Sequence, residues 1–144
     1  MKKPNKIGKT SSANGMKTRS KEICRILLVE DNQLLSEEVA DILTRAGFRV
    51  TEAINAIKAL ERLPVVNPDL IITDLDLPWL DGFKFIEHLR TLPQYQNLPI
   101  VILSANGSTE NRIRGKEVGA NAFIRKPCKS EELIAVILSL RPFQ

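Results

Sequence analysis

Aromatic and sulfur-bearing side chains are scarce in this chain. Of its 144 residues 5% are aromatic, with one Trp and one Tyr, and it has two cysteines and one histidine. Cys24 and Cys128 are too few and too far apart for a disulfide framework or a zinc site, so both are read as reduced thiols. No stretch approaches the roughly 20 apolar residues of a membrane-spanning helix. The N-terminus also lacks the apolar core of a secretory signal, so a cytoplasmic protein with no membrane span is expected. What is present, 43% hydrophobic and 26% charged residues, suits one domain with a sizeable core.

The formal charge of +4 points at first to a nucleic-acid or anionic-membrane partner. Its placement reverses that reading. Residues 1–21 hold seven basic residues and no acid, which leaves 14 basic against 17 acidic residues in the remainder, a net of −3. The 1–21 segment is almost free of apolar residues and is expected to be a disordered basic tail, with Met16 inside it as a candidate start. Residues 22–144 are expected to fold, and nucleic acid is not expected as a partner.

From Cys24 onward short apolar runs alternate with helical patterns. The runs are Ile26–Val29, Leu70–Ile72, Ile100–Leu103 and Ala122–Ile124, with a weaker one at Phe48–Thr51. Unbroken runs predict strands covered on both faces, as in a parallel sheet. Leu35, Val39, Ile42, Leu43 and Ala46 fall on one helical face ahead of Gly47, and further helices are expected at 55–63, 82–91, 108–118 and 130–140. The pattern (βα) repeated five times predicts an α/β fold, a doubly wound, flavodoxin-like five-stranded parallel sheet of order 2-1-3-4-5 flanked by five helices.

In such sheets ligands bind at the carboxyl ends of the strands. Here those ends carry Glu30-Asp31, Asp74, Ser104 and Lys126-Pro127. Carboxylates sharing a cleft repel one another and either take up protons or share a cation, and an all-oxygen cluster suits Mg²⁺. Lys126 and the Ser104 hydroxyl are then candidate contacts for phosphate oxygens. Asp74, an ionised carboxylate beside the metal, is the candidate acceptor of a phosphoryl group.

Four segments in order carry a family resemblance: Ile26–Asn32 (ILLVEDN), Pro68–Pro78 (PDLIITDLDLP) leading to Asp81-Gly82, Leu98–Ala105 (LPIVILSA) and Gly119–Pro127 (GANAFIRKP). Together they resemble the receiver domains of two-component response regulators, the single-domain chemotaxis-regulator type among them. The resemblance implies Asp74 as phosphoacceptor, Glu30 and Asp31 as the acid pair for Mg²⁺, and the backbone carbonyl of Asp76 completing the metal shell. It implies Ser104 and Phe123 as the switch pair, Lys126 as the phosphate contact, and Asp76 and Asn106 as positions that tune dephosphorylation. Glu30 stands where the family often has Asp, so it is expected to act through a metal-bound water. Phe123 lacks the hydroxyl of a Tyr, so switching there rests on ring packing. Cys128 stands where an aromatic is usual, and the Lys126-Pro127 bond is often cis in the family.

The implied function is that of a signalling switch, not an enzyme acting on other substrates. It takes a phosphoryl group from a sensor histidine kinase or phosphotransfer protein and acts by protein contact, through a face of residues 108–118, 121–125 and 130–140. With no output domain expected in 144 residues, the alternatives within this class are a phosphorelay intermediate, or a receiver cut from a transcriptional regulator or hybrid kinase. A rival class is a haloacid-dehalogenase-like phosphohydrolase using Asp74 and Asp76, which that family would carry on its first strand. A flavodoxin-like cofactor carrier would need a phosphate loop after the first strand, and none is there. Among the bland readings, Asp31 or Asn32 is a candidate N-cap of the first helix, and His88 a helix-flank residue with no kinase machinery around it.

Overall fold

Apolar runs with no polar interruption have no face to give to water, and the chain buries them in the middle of a sheet. A computed structural model describes residues 24–140; the expected basic tail and its boundary at residue 21 lie outside the described residues. Five strands, β1 (Arg25–Val29), β2 (Arg49–Ala53), β3 (Leu70–Thr73), β4 (Ile100–Ser104) and β5 (Ala122–Arg125), form one sheet of order β2-β1-β3-β4-β5. All four pairings are parallel. This is the predicted flavodoxin-like order, and it places the ends of β1 and β3 side by side, with Val29 level with Thr73.

Five helices cover the sheet: α1 (Gln33–Arg45), α2 (Ala56–Val66), α3 (Gly82–Thr91), α4 (Thr109–Val118) and α5 (Ser130–Ser139). Because side chains alternate along a strand, each central strand feeds two cores. Leu27, Val29, Ile71 and Ile102 pack with α2 and α3 through Leu63, Phe85 and Leu89. Ile26, Leu28, Ile72 and Val101 pack on the other side with Leu43 of α1 and Leu133 and Ile137 of α5. Edge strand β2 is only partly covered, which accounts for the weak apolar signal there.

Two helices depart from their sequence patterns. Helix α2 continues through Pro64 for three residues beyond the expected end at 63 and stops at Asn67, whose left-handed backbone (φ 48°) lets its N–H close on the Leu63 carbonyl. Helix α4 forms as expected but has no apolar face, burying only Gly115 of its ten residues. A Cβ there would stand 2.9 Å from Ile102 Cδ1, so glycine is what allows the helix to approach the sheet. The Arg112 guanidinium sits 5.0 Å from the Phe123 ring centroid and that of Arg114 4.3 Å from Phe83. These cation–π contacts replace the missing apolar stripe.

Arg90, at the end of α3, ties together the loops at the opposite edge of the sheet. Its guanidinium donates to the Gly119 carbonyl (2.7 and 3.1 Å), to the Tyr95 and Leu98 carbonyls (2.7 and 2.8 Å) and to Asn121 Oδ1 (3.0 Å). Removing it strands several part-buried acceptors at once. Arg90→Met is therefore expected to lower unfolding free energy by about 2 kcal/mol, read from the midpoint of urea unfolding.

Candidate functional site

Four strands deliver their polar ends to one cleft. Glu30 follows β1 and Asp74 follows β3, each 7% exposed, and the two are locked to the sheet by Glu30 N–H to the Ala53 carbonyl and Asp74 N–H to the Val29 carbonyl, both 3.0 Å. One carboxylate oxygen from each of Glu30, Asp31 and Asp74 lies within 4.8 Å of the others. The two buried acids face the exposed Asp31 at the mouth. Asn32 caps α1 by accepting from Leu35 N–H (3.0 Å), so Asp31 is not spent on that role.

Each buried oxygen has a partner. Asp74 Oδ1 accepts from the backbone N–H groups of Leu75 (2.6 Å) and Asp76 (3.3 Å), while Oδ2 accepts from Lys126 Nζ (3.1 Å). Glu30 Oε1 accepts from Lys126 Nζ (2.8 Å) and Oε2 from Asn32 N–H (3.1 Å). Burial pushes the Glu30 carboxyl above its usual range, and the Asp74 charge adds to this against the pull of Lys126 and the Asn32 amide. For Lys126, burial acts downward, but the hydrogen bond to Glu30 and the charge of Asp74 outweigh it and hold the ammonium above its ordinary value. One cation thus bridges two acids and remains charged.

On β4, Ile102 stands level with Thr73, which carries the fully buried Ser104 to the same edge. Its Oγ accepts from Asn106 N–H (3.2 Å), and its carbonyl accepts from Lys126 N–H (2.9 Å), tying β4 to the Lys126 segment. The Lys126-Pro127 peptide is cis. Phe123 is half-buried on β5 against the α4 side of the sheet, and Cys128 packs at the margin of the opposite core. Asp76 and Asn106 are exposed at the cleft edge, and His88 is exposed on α3. Sequence reasoning missed the backbone N–H groups of Asn32, Leu75 and Asp76. It also read Gly82 only as a helix start. A Cβ on Gly82 would meet the Asp74 carbonyl oxygen and stand 2.8 Å from Leu75 Cα, so the helix presses directly on the acceptor segment.

An all-oxygen, three-carboxylate set with one exposed member fits a hard divalent cation that keeps several waters.

The response regulator receiver domain family matches residues 26–138, and the chain belongs to it. The phosphate regulon transcriptional regulatory protein PhoB of Escherichia coli is 41% identical over 113 residues, covering 78% of this chain and 49% of that protein. Response regulator Rre1 of Synechocystis is 39% identical over 116 residues, 80% of this chain and 50% of that protein. The chain thus spans about half the length of these curated relatives. Among solved structures, chemotaxis protein CheY4 of Vibrio cholerae aligns with a TM-score of 0.78 at 30% identity, covering 83% of this chain and 99% of that one. Receiver domains belong to two-component signalling and are not a conventional enzyme family. No described helix is long and apolar enough to cross a membrane.

Proposed function

We infer that this receiver accepts a phosphoryl group on Asp74 from the phosphohistidine of a sensor kinase or phosphotransfer protein. The observation that carries this is the state of the Asp74 carboxylate: buried, ionically paired to Lys126, and fixed at Oδ1 by two backbone N–H groups. An ionised oxygen held still beside a cation is a nucleophile that needs only alignment. A carboxylate oxygen attacks phosphorus in line, the P–N bond breaks with its electron pair going to the imidazole, and an acyl phosphate forms on Asp74. With the other ring nitrogen protonated, the donor leaves as neutral imidazole.

Asp31 and Asp74 would hold Mg²⁺ directly, with the Asp76 carbonyl. Glu30, one methylene longer than an Asp at this position, would act through water. When bound, the ion neutralises the charge gathered between carboxylates and phosphoryl oxygens. Lys126 binds a phosphoryl oxygen from the β5 side, and Ser104 offers its hydroxyl to another. Movement of that hydroxyl opens space beside Phe123, and the change reaches α4 and β5 through ring packing and the Arg112 contact. The downstream protein target is read at the α4–β5–α5 face. Asp76 and Asn106 border the path of the water that later hydrolyses the acyl phosphate. A cytoplasmic location follows from a kinase partner of this kind.

Acetyl phosphate or beryllofluoride is expected to modify the protein in the presence of Mg²⁺ and not after chelation, and Asp74→Asn is expected to end modification. Persistence in that variant at the wild-type rate, read by intact mass, overturns the assignment. Sustained phosphate release from p-nitrophenyl phosphate would favour the phosphohydrolase reading.

A further inference from the structure

The loop after the acceptor strand carries four large apolar side chains in quick succession, Leu75, Leu77, Trp79 and Leu80. Leu75 and Leu77 are 4% and 8% exposed, and Leu80 packs against the same core. Alternation would put Trp79 inside with Leu75 and Leu77. Instead the molecule's one tryptophan is 82% exposed. What turns it outward is a three-residue turn: Leu80 N–H donates to the Pro78 carbonyl (2.7 Å), and Trp79 has φ 67°. For a bulky residue this is a strained, left-handed backbone. Exposure and strain both act against stability, so packing within the described residues does not account for a tryptophan here.

We propose that Trp79 is the anchor by which the receiver grips the protein that donates its phosphoryl group. This rests on the reading of Asp74 as acceptor. Asp74 is only 7% exposed, so a donor must press its surface onto the surrounding loops to bring an imidazole-bound phosphorus within reach. β1 and β3 are neighbours that end at the same level, so the loops that follow them rise side by side. Two exposed apolar residues stand after these strands, Leu34 in the first turn of α1 at 69% and Trp79 in the loop after β3. In sequence the 74–81 loop carries Asp74, Asp76 and Asp81 and no basic residue, and of the three Asp76 is the exposed one. The complementary surface is an apolar cup rimmed by Lys or Arg. The rim cations would pair with the exposed Asp76 and stack on the indole face. Exposed tryptophans that enter such cups carry a large share of interface energy.

Trp79→Gly tests this without straining the turn, since glycine adopts φ 67° freely. Two donors are compared: acetyl phosphate, and the autophosphorylated kinase of the source organism that transfers fastest to the wild-type protein. The expected result is an acetyl phosphate rate and melting temperature close to wild type, with kcat/KM for transfer from the kinase lowered about ten-fold or more, mainly through KM. Leu34→Ala should show a smaller loss of the same kind, and Val65→Ala, distant on α2 and 86% exposed, none. Unchanged transfer from the kinase in Trp79→Gly overturns the proposal and leaves Asp74 untouched. An equal loss with both donors also overturns it, because the indole would then serve the acceptor site itself. Failure of wild-type protein to react with acetyl phosphate would instead remove the acceptor reading beneath it.

Discussion

In magnesium-free buffer, Lys126→Met is expected to lower the unfolding free energy by about 3 kcal/mol, among the largest effects of any single change at the site. The Lys126 side chain is 14% exposed and its two carboxylate partners 9%, so water replaces little of what the ammonium supplies. Removing it leaves the Glu30 and Asp74 carboxyls buried and close to Asp31 without their shared cation, a cost several-fold above that of an exposed ion pair. Two further measurements separate this from lost packing, since methionine keeps most of the aliphatic stem. Asp31→Asn in the wild-type background should stabilise the protein, because it removes repulsion from the same cluster. Magnesium should restore much of the stability of Lys126→Met, because the folded state then offers a divalent cation a more negative site than the unfolded chain does. Urea titrations with and without magnesium decide the matter. A Lys126→Met variant that loses stability but gains none from magnesium would mean that the ammonium acts by packing.

The same pairing explains why this site was legible in sequence. Strand ends of a parallel sheet are fixed by topology, so once the apolar runs of β1, β3, β4 and β5 are recognised, the polar residues that follow them must share an edge. The shared placement of Glu30, Asp31, Asp74, Ser104 and Lys126 is accordingly readable from residue order alone. Asn32 was harder, because a short polar side chain after a strand serves equally well as a cap or a ligand. The structure assigns the cap to its side chain and gives its N–H to Glu30, two roles for one residue. Backbone donors such as Leu75 N–H depend on the local turn and leave no trace in residue type.

Other details of the expected elements escaped for different reasons. Helix α4 carries Arg112 and Arg114 where an apolar stripe would ordinarily sit, and its seat is visible only when the rings of Phe123 and Phe83 are seen beneath them. In α2, Pro64 removes one N–H, yet the buried Leu63 and the left-handed Asn67 hold the last turn in place. The outward turn of Trp79 is set by a backbone dihedral, which periodicity does not encode.

Gly82→Ala is expected to combine a large loss of stability with a large loss of phosphoryl acceptance. The new Cβ would meet the Asp74 carbonyl oxygen and Leu75 Cα, both backbone atoms of the segment that holds the acceptor. Neither is the end of a flexible side chain that can swing aside. Helix α3 cannot retreat cheaply either: Phe83, Phe85, Ile86 and Leu89 are buried, Asp81 caps its first turn through Lys84 N–H, and Gly82 N–H donates to the Leu75 carbonyl at 2.9 Å. Overpacking of this kind costs about 2–4 kcal/mol. The strain has only two outlets, peeling of the first turn of α3 or displacement of Asp74, and the second moves the Oδ1 oxygen off its two N–H donors. A misplacement of about 1 Å is enough to slow a positioned reaction about a hundred-fold. Gly107→Ala is the matched control, because the nearest atoms a Cβ there would meet belong to the Arg125 side chain, at 3.0 Å from Cγ, and not to backbone. If Gly82→Ala reacts with acetyl phosphate as fast as Gly107→Ala while losing stability, the helix yields and the acceptor stays in place. If both stability and rate fall, the first turn of α3 is the wall against which Asp74 is held.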